Sequence, residues 1–317
     1  MISVRKFIEK INIERGFTGE LRYDEPLALH TTFKVGGPAD LWIRPQAGCF
    51  PEYGACLLRH AQAEGIPVFV LGGGANIVVS DQGIRGIVLD TGGWSGLSLT
   101  GEEVIIRSGM GIDAALDTLA AHERGGLEFL AGMPGSFGGA LWMNARCYEK
   151  SLSDVVASAE CLDADFQPCW VPYRAEDYGY KRSPFQTQDR LILSVRLRTM
   201  HRPETAIRQE MEQYHLDRER KGHYRFPSAG SAFKNNRHFG KPTGKILDAL
   251  GLRGLQIGGA AVAPWHGNII INTGNARAKD IRALVLHITE QVQAALGIHL
   301  EPEIRFVGDW PPQAPSP

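Results

Sequence analysis

Two short segments concentrate glycine in this chain, Val70-Leu-Gly-Gly-Gly-Ala-Asn-Ile-Val-Val-Ser-Asp81 and Ala131-Gly-Met-Pro-Gly-Ser-Phe-Gly-Gly-Ala140, and each follows an apolar run. Glycine has no Cβ, so its backbone N–H can come close to a neighbour or a ligand, and it reaches positive φ at low cost. Successive exposed N–H groups form concavities that suit anions such as phosphates. Two such loops in one chain point to a phosphate-bearing ligand held from two sides. Neither loop is a dinucleotide fingerprint leading into a helix with an acidic residue on the ribose, and the absence of Gly-Lys-Ser/Thr excludes a P-loop. Taken alone, Gly72-Gly-Gly-Ala-Asn76 is equally well read as a tight turn, because Ile77-Val-Val79 favours strand over helix. The second loop is more specific. Met133-Pro134 stiffens its approach, Ser136 offers a hydroxyl, and Gly138-Gly139 permit close backbone contact. Its bland alternative is a β-turn entering a helix.

At 317 residues the chain is long for one compact core, so two or three domains are expected. The balance of 34 basic and 35 acidic side chains gives no general attraction to nucleic acid or an anionic membrane surface. Five cysteines, odd in number and without Cys-x-x-Cys spacing, argue against a disulfide framework or a zinc site and fit a reducing compartment. Cys161 and Cys169 can fall on neighbouring strands, although buried free thiols are the plainer expectation. The ten histidines show no metal-binding pattern, so no metal is expected. Met1-Ile-Ser-Val-Arg-Lys-Phe7 reads as an amphipathic helix, no run approaches the ~18–20 apolar residues of a membrane span, and a cytoplasmic protein is expected.

Hydrophobic periodicity predicts helices over 51–64, 112–124, 203–220 and 278–296, the last placing Ile281, Leu284, Val285, Ile288, Val292 and Leu296 on one face before a stop at Gly297. Strands are predicted at 39–44, 68–71, 86–90, 103–107, 155–162, 169–171 and 191–197, and the proline-rich end, 310–317, is expected to fray.

Beyond the two loops stand His30-Thr-Thr-Phe-Lys-Val-Gly-Gly-Pro-Ala-Asp40, Met143-Asn-Ala145, Pro227-Ser-Ala-Gly-Ser-Ala-Phe-Lys-Asn235, Ile257-Gly-Gly-Ala260, His266-Gly-Asn268, Asn272-Thr-Gly-Asn-Ala276 and Leu300-Glu-Pro-Glu-Ile-Arg305. In this order, over nearly the whole chain, the sequence resembles the UDP-N-acetylenolpyruvoylglucosamine reductases of peptidoglycan synthesis, in their more compact subtype. The resemblance implies an FAD-binding domain of two α+β subdomains, like those of vanillyl-alcohol oxidase, at 1–85 and 86–203. A C-terminal α+β substrate-binding domain would follow at 204–317, its last residues returning toward the flavin. It implies non-covalent FAD, NADPH as hydride donor, a UDP-sugar enolpyruvyl ether as substrate, and a monomer or weak oligomer. Roles in cell wall biogenesis, cell shape and cell division come with it.

The implied reaction reduces the vinyl ether to a lactyl ether. Hydride passes from NADPH by way of flavin N5 to the vinyl carbon β to the carboxylate, and the carbanion that develops beside that carboxylate needs support and a proton. By the resemblance, Ser231 gives the proton, Glu303 sits near the reacting double bond, and Arg305 lies close to the flavin or substrate. Lys234, Asn235 and Arg218 match substrate-binding positions, and Gly72, Gly73, Gly74, Ala75, Asn76, Pro134, Gly135, Ser136, Gly138 and Gly139 match cofactor contacts. Glu301 is expected to be a surface charge, and His266 a packed, hydrogen-bonded histidine. One departure matters. The family's Tyr-Arg-x-Ser-x-Phe reads Tyr180-Lys-Arg-Ser-Pro-Phe185 here, with lysine where an arginine helps polarise the substrate carboxylate. A lysine offers a point charge and not a planar fork; Ser183 and Phe185 keep the register, so Lys181 takes the role unless a local shift brings in Arg182. Ala75 also stands where serine is usual. These departures keep open a flavin-binding homologue with lost or altered activity, or an FAD-dependent oxidase of another substrate.

Overall fold

A computed structural model describes residues 4–187 and 190–311, so the expectations for 1–3 and for 312–317 lie outside the described residues. Most of the predicted helices and strands are present, shifted by a residue or two. Phe50–Glu64 carries Pro51 in its first turn and ends on Gly65, whose φ of 65° turns its N–H back onto the Ala61 and Gln62 carbonyls. Ala278–Leu296 ends the same way on Gly297 and buries Ile281, Leu284, Val285, Ile288 and Val292; Leu296, which continues the spacing, is exposed on the last turn. The third helix stops at Ala121 and not Arg124, because Glu123 turns left-handed at φ 54° and Arg124 joins a two-residue strand paired with Met200–His201.

The described residues form two compact units. One takes the chain up to Tyr23 with Leu41–Gly73 and Gly86–Asp217; the other takes Asp24–Asp40, Gly74–Arg85 and the chain from Arg218. The division falls inside the first glycine loop.

The first unit has two hydrophobic cores. Its four-stranded sheet runs in the order Gly19–Pro26, Pro38–Pro45, Ile84–Asp90, Val68–Leu71, the last two being parallel. Helices Val4–Arg15 and Phe50–Glu64 bury Phe7, Ile8, Ile11, Phe50 and Leu57 with Leu41, Ile43, Ile87 and Leu89 of the strands. A five-stranded antiparallel sheet, in the order Pro168–Pro172, Val156–Leu162, Ile192–Arg198, Glu103–Arg107, Leu97–Thr100, packs with helices Ile112–Ala121 and Phe137–Trp142. Val104, Ile106, Leu116, Phe137, Leu141, Val195 and Leu197 fill the second core.

In the second unit, the antiparallel sheet Ser228–Ser231, Ile269–Asn272, Ala260–Val262, Gln256–Ile257 shares its core with Ala278–Leu296. Phe33, Val35 and Val78 join that core from the unit's two early segments. Ile77–Val79 pairs in parallel with Arg305–Val307, Ile77 opposite Arg305. Asp81, two residues beyond that strand, turns its carboxylate onto the start of Ala278–Leu296. Its oxygens accept the Ala278 and Lys279 N–H groups, each at 3.0 Å, and Arg277 Nε lies 3.7 Å away. The carboxylate thereby satisfies two donors that a helix leaves unpaired and meets the positive end of the helix dipole. Asp81→Ala is expected to lose about 1–2 kcal/mol of stability in this unit, read as an earlier urea midpoint; an unchanged midpoint would show the cap to be idle.

Candidate active site

In the first unit the two glycine loops touch backbone to backbone. Gly73 N–H donates to Ser136 Oγ at 3.3 Å, and a Cβ on Gly73 would stand 2.6 Å from Gly135 Cα. Glycine is therefore demanded here by loop-on-loop contact, before any ligand is considered. The second loop does enter a helix, Phe137–Trp142, with Ser136 as its N-cap accepting from Gly139 N–H. Gly135 C=O accepts Ile112 N–H, Met110 C=O accepts Phe137 N–H, and Asp113 Oδ1 accepts Gly132 N–H at 2.8 Å, so the loop is fixed by the start of helix Ile112–Ala121. Gly138 is buried, its N–H on Ser108 C=O, whereas Pro134 and Gly139 stay exposed. Met133 and Gly135 are half-exposed.

Lys181 and Arg182 end a tight turn from Gly179, in which Gly179 and Arg182 exchange both backbone hydrogen bonds. Lys181, the third residue of the turn, is held at φ 55°, a position that type II turns reserve for Gly or Asn. For a lysine that conformation costs of the order of 1 kcal/mol and persists because its surroundings impose it. Asn144 Nδ2 donates to Gly179 C=O, Gln186 Nε2 to Lys181 C=O, and Ser183 Oγ to Trp142 C=O at 2.7 Å. Asn144 and Gln186, which carry no expected role, are thus the residues that set the turn. Arg182 is exposed, with its guanidinium on Glu176 C=O at 3.1 Å.

The second unit brings the remaining candidates together. Ser231 closes strand Ser228–Ser231 opposite Ile269. Immediately after it, Ala232 C=O accepts Glu303 N–H at 2.8 Å and Lys234 N–H donates to Glu301 C=O at 2.9 Å, so the segments of Ser231 and Glu303 lie side by side. Glu303 is buried. Asn76 joins them from the first glycine loop: its Nδ2 donates to Glu303 C=O at 3.1 Å, and its own C=O accepts Arg305 N–H at 3.0 Å. Ser231, Glu303, Arg305 and Asn76 therefore share one backbone network. Asn268, quoted above without a role, clamps it from the other side. Its side chain accepts from Phe233 N–H at 2.9 Å and donates to Phe233 C=O at 2.8 Å, while its own C=O accepts Ala232 N–H. A buried amide that answers both groups of one residue fixes a strand end more tightly than either bond alone.

Lys234 forms an ion pair with Glu301, so the expected surface charge has a partner. Asn235 Oδ1 accepts Thr243 N–H, and Thr243 Oγ1 donates to Lys234 C=O, tying both to the start of helix Thr243–Ala249. Arg218 is buried in the last turn of helix Glu204–Arg220 despite its highly charged neighbours. His266 is a packed histidine: its Nδ1 accepts Asn268 N–H at 3.1 Å, and burial holds its pKa below the ordinary histidine range. Among the described residues no three His, Cys, Asp or Glu side chains gather as a metal site requires.

The first glycine loop presents two successive N–H donors of the kind an anion takes. Gly74 is left-handed at φ 62°, and a Cβ there would stand 2.0 Å from His30 C=O. Gly74 C=O accepts Thr32 N–H, whereas the successive Gly74 and Ala75 N–H groups are not used by other described residues. Consecutive unpaired N–H groups at a left-handed residue are what an anion nest consists of, and buried N–H groups rarely go without an acceptor.

Comparison with known proteins accounts for both units. A family model for the UDP-N-acetylenolpyruvoylglucosamine reductase C-terminal domain matches residues 222–307, and one for an FAD binding domain matches 55–167, a span that includes both glycine loops. The chain is 39% identical to the UDP-N-acetylenolpyruvoylglucosamine reductase of Treponema pallidum over 91% of this chain and 94% of that protein. It is 38% identical to that of Treponema denticola over 92% and 95%. The crystal structure of the Thermus caldophilus reductase superposes with a TM-score of 0.74 at 31% identity, covering 93% of this chain and all of that one. Gly73→Ala, whose methyl would press on backbone that cannot turn aside, is expected to lose about 1–3 kcal/mol of stability and to purify with less FAD per chain by absorbance. Wild-type flavin content at wild-type stability would contradict that packing.

Proposed function

The chain belongs to the UDP-N-acetylenolpyruvoylglucosamine reductases, FAD-dependent oxidoreductases, and from that premise we propose how its own residues carry the reaction. The reaction is the NADPH-dependent reduction of UDP-N-acetylglucosamine enolpyruvate to UDP-N-acetylmuramate. FAD, when bound, supplies the hydride. The Gly74 and Ala75 N–H groups would hold an anionic part of the cofactor, and we assign Pro134, Gly139 and Arg305 as further residues that would contact it. Gly72, Gly73, Gly135, Ser136 and Gly138 shape the loops that present those groups, and Asn76 holds Glu303.

Hydride addition leaves a carbanion next to the substrate carboxylate. Lys181 supports that carboxylate as a point charge, and its imposed left-handed backbone speaks for it over Arg182, whose guanidinium is held on Glu176 C=O. Ser231 Oγ holds the proton that goes to the carbon bearing the carboxylate. Serine is a weak acid, so Glu303 acts beside it to order the donor and the reacting double bond. Lys234, Asn235 and Arg218 bind the substrate, and Arg182 is a further substrate-binding candidate. The observation that carries this reading is the 2.8 Å hydrogen bond from Glu303 N–H to Ala232 C=O, which brings the two acid–base candidates to one place.

In functional terms we divide the chain into two FAD-binding parts, 1–85 and 86–203, and a substrate part, 204–317. The product enters peptidoglycan precursor synthesis, hence cell wall biogenesis, cell shape and division. We place the enzyme in the cytoplasm as a monomer or weak oligomer. No described helix is long and apolar enough to cross a membrane.

The test follows NADPH oxidation by flavin-loaded protein with and without UDP-N-acetylglucosamine enolpyruvate. Ser231→Ala is expected to lower substrate-dependent turnover by about 10²–10⁴-fold with the flavin spectrum retained; undiminished turnover would remove Ser231 from the chemistry. Lys181→Ala is expected to raise KM for the enolpyruvyl substrate by about tenfold or more, and Lys181→Arg to restore most of it. A KM that rises only in Arg182→Ala would pass the role to the neighbour.

A further inference from the structure

Cys161 and Cys169 sit directly opposite each other on strands Val156–Leu162 and Pro168–Pro172, with their sulfurs 3.8 Å apart. Both are free thiols. The pairing pattern defines the kind of position they occupy. Tyr173 N–H donates to Ala157 C=O and Asp163 N–H to Gln167 C=O, so the opposed pairs 157/173 and 163/167 are hydrogen-bonded ones. Counting inward by twos, 159/171 and 161/169 are hydrogen-bonded pairs as well. Pro168 and Pro172 occupy the alternate pairs, where a missing N–H costs the ladder nothing. At a hydrogen-bonded antiparallel pair the Cα atoms lie ~5.5 Å apart, within the range that a disulfide spans.

The three other cysteines have different neighbours. Cys49 Sγ lies against the Thr18 and Gln46 carbonyls, Cys56 Sγ against His60, and Cys147 Sγ donates to Phe129 C=O. Cys161 and Cys169 are the sulfur pair among the described residues. Their surroundings also divide the labour between them. Cys161 is buried in the core, with Arg190 Nη1 4.0 Å from its sulfur, whereas Cys169 is half-buried near the sheet edge.

We propose that Cys161 and Cys169 are a reversible thiol–disulfide site, closed by hydroperoxides and opened by thiols. The half-buried Cys169 thiolate attacks a peroxide oxygen; the O–O bond breaks, a sulfenic acid forms, and hydroxide leaves to become water. Cys161 then gives up its proton, its sulfur attacks the Cys169 sulfur, and the sulfenic oxygen departs as a second water. In sum two thiols and one hydrogen peroxide give one disulfide and two waters. Burial and the neighbouring Cys169 hold the Cys161 thiol up at about 11, which keeps it protonated until its partner is oxidised. Once Cys169 carries an uncharged sulfenic acid, its repulsion is gone and the Arg190 guanidinium favours the Cys161 thiolate.

The flavin-loaded protein, with its flavin oxidised and no pyridine nucleotide present, is treated with hydrogen peroxide, quenched and denatured. The titratable thiols are expected to fall from five to three, with a peptide linking Cys161 to Cys169 that dithiothreitol releases to restore five. In Cys161→Ser, Cys169 is expected to be trapped by dimedone as the sulfenic acid, with no cross-link. Retention of all five thiols would overturn the proposal. So would loss falling on Cys49, Cys56 or Cys147, or irreversible oxidation of Cys169 while Cys161 stays free. The wild-type outcome stands by itself if the buried serine variant fails to fold.

Discussion

The site of the second unit depends on one short parallel pairing, Ile77–Val79 against Arg305–Val307. Three residues on each strand supply little energy by themselves. Their effect is positional, because register in a sheet fixes which groups meet. With Ile77 opposite Arg305, the Asn76 carbonyl receives Arg305 N–H and the Asn76 amide reaches Glu303 C=O. Glu303 N–H in turn reaches Ala232, beside Ser231, and Asn268 holds Phe233 from the far side. A slip of one residue would turn Glu303 to the opposite face and unmake each of these contacts. Val78 and Ile304 oppose such a slip, since both are buried in the core under Ala278–Leu296.

Glycine has two different tasks in the loops. Gly73 and Gly135 are small because loop meets loop, and Gly138 because it lies on Ser108; Gly74 is left-handed against His30 and leaves its N–H unpaired. Only the last of these speaks directly of an anion. The contrast with Lys181 is instructive: there a left-handed turn position is filled by a long charged side chain, and Asn144, Ser183 and Gln186 provide the hydrogen bonds that hold the turn.

Helices with a clear apolar stripe and a glycine stop, such as Phe50–Glu64 and Ala278–Leu296, were legible in the sequence because local energetics determine both stripe and stop. The end at Ala121 was not, since a left-handed Glu123 leaves no compositional mark. The family and its chemistry were legible from motifs. The pairing of strands 77–79 and 305–307 was not, because three-residue strands have no readable period and partners distant in sequence leave no local trace. The difference between a packing glycine and a ligand-facing one, the clamp by Asn268, the burial of Arg218 and the Lys234–Glu301 pair depend in the same way on which segments meet.

The hydrogen bond from Asn76 to Glu303 joins positions 227 residues apart, and its unit is assembled from two early segments and everything described beyond Arg218. During synthesis the segments 24–40 and 74–85 emerge long before the strands and helix they pack with. Closing so large a loop is entropically costly and slow, and the apolar residues Phe33, Val35 and Val78 remain without their core until the chain beyond Arg218 is made. The nascent chain therefore carries half of its first glycine loop in a waiting state. A ribosome that stops short of Arg305 releases a protein with both glycine loops in its sequence but without the strand that pairs with Ile77–Val79.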